Sequence, residues 1–325
     1  MKLISKLKGA FQDPQKVYSL VAQFNAIRRR SNIGAALGYL SEKVVGYNLY
    51  LRVLRLLKRD TLVKMQLKDA GNANMYIDLN DEGISQDILQ YGQREEGATK
   101  AFKTYLKPGQ TIIDIGANIG YYVLIEATKM SHRGRIYAVE PEPHNAEILK
   151  RNVRLNQYSD IVDIECVSIS DRTGTAKLHL ANRSNLHTLT RVSEMDKYVK
   201  FKGTLDVQTF TLDDFLKYKA IDSLSIDIIR MDIEGHEVYA LDGMVETLER
   251  GGPLIFFIEI HPKLIKQNRD YTYESFLRKL KAYGFKLAEC FLSPTSRIDQ
   301  KLSVDNIDDL SHFREAVEVI LVRSH

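Results

Sequence analysis

Two histidines and three carboxylates stand at the ends of two apolar runs. Ile226 to Met231 leads into Asp232, Ile233, Glu234, Gly235 and His236, and Pro253 to Ile260 carries Glu259 just before His261 and Pro262. An imidazole titrates near neutral pH and is the natural acceptor of a proton from a reacting hydroxyl, and a carboxylate beside it fixes its orientation. His261 and His236 are therefore candidates for a general base, with Asp232 or Glu259 orienting the ring and Glu234 available to a substrate. A helix beginning at His236 would keep that imidazole neutral but weaken it as a base, which favours His261. The plainer alternative is that His236 only caps a helix and His261 only ends a strand. The same five side chains offer enough nitrogen and oxygen ligands for a divalent ion, yet no tight spacing such as His-Glu-x-x-His is present, and no metal is expected.

A second constellation lies upstream, in Thr111 to Tyr122, TIIDIGANIGYY. A β-branched run ends at Asp114, a turn carries Gly116 and Gly120, and Ile119, Val123, Ala127 and Met130 then recur at helical spacing. Strand, glycine turn and helix N-terminus together make a nucleotide site, because glycine lets a backbone approach a ligand and the helix end offers free N–H groups. A dinucleotide fingerprint would need a second glycine where Asn118 stands, and Asp114 would repel a pyrophosphate while attracting an amino group. The D-x-G-x-N-x-G pattern resembles the cofactor loop of class I S-adenosylmethionine-dependent methyltransferases. Glu140, at the end of the next strand pattern (Arg135 to Val139) and 26 positions after Asp114, is placed for the two ribose hydroxyls of an adenosine. Asp114, Gly116, Asn118, Gly120, Glu140 and Asp232 are thus the expected cofactor residues.

These groups need a frame in which strand ends meet along one edge. After about residue 70, strand and helix patterns alternate, which makes the class α/β with helices on both faces of a sheet. A hairpin is expected from Leu62 to Leu67 and Asn74 to Leu79, and one or two helices from Ser85 to Leu106, interrupted near Gly92 and Gly97. A third strand, Ile161 to Val167, runs into Ser168 and Ser170. Two more, Thr175 to Leu180 and Asp206 to Phe210, flank a polar stretch from Ala181 to Thr204 containing Asn185, His187, Thr188 and Arg191. A loop of that length in a compact domain is usually functional, and it is the candidate acceptor lid, with His187 a substrate candidate.

In order and spacing, DIGANIGYY, AVEPEP, RMDIEGHEV and FFIEIHP resemble the FkbM family of S-adenosylmethionine-dependent methyltransferases over roughly residues 80 to 290. The resemblance implies a Rossmann-like, mostly parallel seven-stranded sheet in the order 3-2-1-4-5-7-6 with the last strand antiparallel. It implies S-adenosylmethionine as cofactor and methylation of a hydroxyl on a glycan, glycolipid or small metabolite. In that fold the third strand passes the adenine, bringing in Ser168 or Ser170, and a helical lead-in lies by the cofactor, bringing in Glu95 and Glu96.

The resemblance says little about residues 1–70. They hold fourteen Lys and Arg against four acids, a charge of +10, while the remainder holds 32 against 38, a charge of −6. Two amphipathic patterns, 13 to 30 and 40 to 59, point to a helical N-terminal segment distinct from a catalytic domain at 71–325. The basic faces suit solvent, an anionic membrane surface or nucleic-acid phosphates. Nucleic-acid methylation, and a non-catalytic S-adenosylmethionine-binding scaffold, are therefore the alternatives to a hydroxyl acceptor. With no spanning apolar run, no signal-peptide pattern, and Cys166 and Cys290 read as buried free thiols, the expected location is cytoplasmic, with peripheral membrane contact through residues 1–70 an extension of that reading.

Overall fold

The computed structural model describes residues 61–267, 271–292 and 300–324. The two basic amphipathic patterns expected at 13 to 30 and 40 to 59 lie outside them. In chain order the elements are β1 (Leu62–Gln66), β2 (Asn74–Asp78), α1 (Ile84–Tyr91), α2 (Glu96–Tyr105), β3 (Thr111–Ile115), α3 (Tyr121–Met130), β4 (Arg135–Val139), α4 (Pro143–Leu155), β5 (Val162–Glu165), β6 (Ser168–Ile169), β7 (Gly174–Ala181), β8 (Phe201–Phe210), α5 (Leu212–Lys219), β9 (Ile228–Met231), α6 (Glu237–Asp242), α7 (Val245–Glu249), β10 (Leu254–Ile260), α8 (Pro262–Ile265), α9 (Tyr273–Ala282), β11 (Lys286–Leu292), β12 (Gln300–Lys301) and β13 (Val317–Arg323).

The main sheet has eight strands in the order β12-β11-β13-β10-β9-β3-β4-β5. Strands β5, β4, β3, β9 and β10 run parallel, and β13 lies antiparallel between β10 and β11. The seven anticipated strands stand in the anticipated order, and the two-residue β12 adds an eighth at the β11 edge. A separate three-stranded sheet, β6-β8-β7, carries the lid. There β7 and β8 extend through Ala181 and from Phe201, so the connecting stretch is shorter than expected, 182–200.

Alternation along each strand feeds two cores. Ile112, Ile136, Ile228 and Phe257 point to the face covered by α1 to α4, and Ile113, Val139, Ile229, Met231 and Phe256 to the face covered by α5 to α7 and α9. The β1–β2 hairpin joins the first core through Leu67, Met75 and Ile77, and so spans residue 70, where the sequence divides the chain. Asn152 of α4 clamps it, its side chain accepting from Tyr76 N at 2.6 Å and donating to Tyr76 O at 3.1 Å. The helical lead-in breaks at Gly92, where a left-handed residue ends α1, whereas Gly97 continues inside α2. Cys290 is buried, but Cys166 is exposed, because β5 ends at Glu165 and the chain turns outward beyond it.

Candidate cofactor and acceptor site

The turn after β3 is left-handed at three positions: Gly116 (φ +84°), Asn118 (φ +50°) and Gly120 (φ +93°). Asparagine tolerates that conformation better than other side chains, and here its Oδ1 accepts from Ile119 N at 2.8 Å. Gly116 is wedged between strand ends. Its N–H donates to Val139 O at 2.9 Å, and a Cβ there would stand 2.1 Å from Asp232 O. Glycine is therefore required for close approach as well as for φ. Glu140, beyond β4, has one carboxylate oxygen accepting from Asn118 N and the other from Glu142 N, each at 2.9 Å. Burial pushes its carboxyl up to about 7 against those hydrogen bonds.

A cleft opens over this turn, lined by Asn118, Glu140 and Pro141 on one side of Gly116 and by Arg94, Tyr122, Arg230 and Asp232 on the other, with Ser184, Asn185 and His187 from the connecting stretch. Asp114 is not in its wall. Asp114 and Arg230 are register partners on adjacent strands, so their side chains share a sheet face. The guanidinium closes over the acid, Arg230 Nη1 donating to Asp114 Oδ1 at 2.9 Å and Nη2 to Asp232 Oδ2 at 3.0 Å. Tyr122 stacks on the same guanidinium, 4.1 Å from ring centroid to Cζ. Asp114, expected to meet an amino group directly, instead stands behind Arg230 and holds it. Its second oxygen has no hydrogen-bond partner among the described residues, and burial raises its carboxyl above the usual range despite Arg230.

Beyond Asp232 the chain turns through Glu234, left-handed at φ +52°, and Gly235 (φ +89°). Such a φ costs a non-glycine residue about 1–2 kcal/mol, and three contacts hold it. Gly235 N donates to Glu237 Oε1 at 3.0 Å, Thr188 Oγ1 to Glu234 O at 2.9 Å, and the Glu234 carboxylate meets His261 Nε2 at 3.2 Å. His261 Nδ1 donates to Glu237 Oε1 at 2.8 Å, and Glu259 lies 3.8 Å from Nε2. Three carboxylates outweigh burial and raise the His261 imidazole well above its ordinary value. Burial in turn raises Glu234 and, further, Glu259. His261 is thus an imidazolium oriented by Glu237 rather than by Asp232 or Glu259, and the group titrates as a unit.

His236 has a different environment. Its Nε2 is 2.9 Å from Ser170 Oγ and its Nδ1 2.7 Å from Thr190 Oγ1. Ser170 gives its own proton to Asp171 Oδ1 at 2.9 Å, so Nε2–H donates to Ser170 and Nδ1 accepts from Thr190. Burial lowers this imidazole to about 4, and its ring stacks on Tyr239 at 4.8 Å. Both nitrogens are occupied. His236 sits at the start of α6 without capping it through its side chain, and ties Thr190 of the connecting stretch to Ser170. Ser170 belongs to that pin, and Ser168 is buried in β6 away from the cleft wall.

Three residues beyond the expected set complete the site. Arg230 is a charge inside an apolar central strand, which is tolerated only where acids await it, and that interruption in IIRMDIEG was the available signal. Arg94 reaches the cleft from the α1–α2 link and pairs with Glu95 at 2.9 Å. Glu95, left-handed at φ +45°, accepts from Tyr122 Oη at 2.8 Å, whereas Glu96 is exposed and accepts from Gln93 Nε2 at 3.0 Å. Glu237 is the third, and only its distance from His261 in space reveals it. Among the described residues no group of three or more His, Cys, Asp or Glu is arranged to hold a metal ion, because these acids are spent on His261 and Arg230.

S-adenosylmethionine fits these residues. The glycine turn leaves the backbone bare beside the cleft, and Glu140 sets there a buried carboxylate of the kind to which a nucleoside's hydroxyls donate. Arg94 and Asp232 face the cleft with the two charges that complement an amino acid's termini. A profile of the FkbM methyltransferase domain matches residues 114–287, more than half of the chain. The 2-O-methyltransferase NoeI of Sinorhizobium fredii is 28% identical over 155 residues, 44% of this chain and 61% of its own length. Methyltransferase sdnD of Sordaria araneosa is 28% identical over 158 residues, 42% of this chain and 60% of its own. The chain therefore spans about three fifths of the length of these relatives. Among solved structures, the tRNA m1G37 methyltransferase of M. jannaschii aligns with 82% of this chain and 56% of that one at 12% identity and a TM-score of 0.41, a likeness too loose to speak to substrate or site. With the glycine turn, the second-strand acid and both histidine-bearing strand ends inside the matched span, the chain belongs to the FkbM family of methyltransferases.

Proposed function

We propose that this protein transfers a methyl group from S-adenosylmethionine to a hydroxyl of a glycan, glycolipid or small metabolite. The observation that carries this reading is the Glu234–His261–Glu237–Glu259 unit next to Asp232, the one member of the acid edge that also lines the cofactor cleft. Bound in the cleft, the cofactor supplies an electrophilic methyl on a sulfonium. The rest is done by this chain's own groups. Glu140 and the glycine turn hold the nucleoside, Arg94 and Arg230 set the charge at the far end, and Asp232 borders the space where an acceptor oxygen must come into line. As the oxygen–carbon bond forms and the carbon–sulfur bond breaks, the hydroxyl proton passes to the acid edge. Three glutamates around one imidazole can take up one proton, and general-base assistance of this kind is worth about 10²- to 10⁴-fold.

The name of the relative NoeI, a 2-O-methyltransferase, agrees with a hydroxyl acceptor. The test is incubation with S-adenosylmethionine labelled in the methyl group, followed by separation of the glycan, lipid, RNA and protein fractions of a host extract. Label is expected in a carbohydrate, lipid or small-molecule fraction and should survive mild alkali, as an ether does. Label confined to RNA, or released by alkali as methanol, would overturn the proposal. Among the described residues no helix is long and apolar enough to cross a membrane, and we place any membrane contact on residues 1–70.

A further inference from the structure

The connecting stretch 182–200 has two ends fastened in different places. Its second half is tied to the acid edge, Thr188 to the Glu234 carbonyl and Thr190 to His236. Its first half is tied to the other bank of the cleft. Asp81 Oδ1 accepts from Ser184 N at 2.8 Å, Asn182 Nδ2 donates to Glu82 Oε2 at 2.7 Å, and Ser184 Oγ reaches Asn118 Oδ1 at 3.5 Å. The first half is therefore strapped across the glycine turn, with Asn118 linking it to Glu140 through the bond from Asn118 N.

Asn185 lies under this strap and lines the cleft, and its Oδ1 is buried with no hydrogen-bond partner among the described residues. A buried carbonyl oxygen left unpaired costs about 1–3 kcal/mol, so a donor is missing at that point. The oxygen packs against Gly83, where an added Cβ would stand 2.1 Å from it. We propose that Asn185 is a cofactor-binding residue whose amide oxygen accepts a hydrogen bond from the nucleoside half of S-adenosylmethionine. That half carries the hydroxyl and amino donors, and the strap's contact with Asn118 sets Asn185 at the Glu140 end of the cleft rather than at the Arg94 and Arg230 end. The first half of the stretch is then a cofactor strap, and only the second half roofs the acceptor. The proposal rests on the cofactor reading of the cleft and not on the identity of the acceptor.

The test is calorimetric titration of the full chain with S-adenosylhomocysteine and, separately, with adenosine. Asn185→Ala should weaken both ligands by the same factor, about tenfold. Gly83→Ala, which leaves Asn185 in place but displaces its amide, should reproduce the loss. Unaltered affinity for both ligands in Asn185→Ala would overturn the assignment. So would a loss for S-adenosylhomocysteine with adenosine unaffected, which would put Asn185 at the methionine half. Failure of the unmutated chain to bind either ligand would instead overturn the cofactor reading itself.

Discussion

His236 and His261 lie within one edge of the same sheet, each buried and each with both ring nitrogens engaged, yet one is neutral and the other cationic. The partners make the difference. Hydroxyls of Ser170 and Thr190 offer the first ring dipoles, which do not compensate the cost of burying a charge. Carboxylates of Glu234 and Glu237 offer the second ring counter-charges, which do. A residue type that suggests acid–base chemistry thus becomes a fastener in one place and the centre of a proton-holding unit in the other. The same contrast separates the two ends of the cleft. The Glu140 end is built from backbone N–H groups and glycine space, and the far end from charged side chains that Arg230 ties together.

Breaking that tie should have the largest effect. Arg230→Met leaves Asp114 and Asp232 facing each other without their shared cation, and the expected loss is about 3–5 kcal/mol in chemical denaturation, with damage to both ends of the cleft at once. Loss at one end only would show that the two ends are independent. Glu237→Gln should separate them more gently. His261 loses the counter-charge on Nδ1, kcat is expected to fall about 10²-fold, and affinity for S-adenosylhomocysteine should stay the same. Glu140→Gln is the converse, weakening the cofactor by about tenfold at an unchanged acceptor KM. In the unmutated chain that affinity should also decline as pH drops below about 7, where the Glu140 carboxylate takes up its proton.

His236→Gln should have the smallest effect at neutral pH, about 1 kcal/mol for imperfect replacement of two hydrogen bonds. Its signature lies at acid pH. The His236 imidazole falls from 6.5 to about 4 on folding, so between those values the unfolded chain binds the proton and the folded chain does not. Stability from this group is complete above 6.5 and is lost as pH falls toward 4. The variant should lose less stability than the unmutated chain over that interval when thermal midpoints are followed with pH. An equal acid slope in both would mean that His236 is not held neutral.

Where local structure depends on a short run of neighbours, the sequence was enough. A glycine turn with asparagine at its centre, an acid at the end of the next strand, and the alternation of strand and helix patterns are local, because each is set by backbone conformation and side-chain period. They determined the α/β class, the left-handed glycine turn at Gly116 to Gly120 and the place of Glu140. What tertiary structure decided is whatever depends on partners far along the chain. Asp114 is legible as a strand-end acid, but that it stands behind Arg230 follows from two strands 116 positions apart lying side by side. His261 and His236 are legible as candidates. Their surroundings are set by Glu237 across 24 positions and by Ser170 across 66, because the charge of a buried imidazole depends on the groups packed around it and not on its neighbours in sequence.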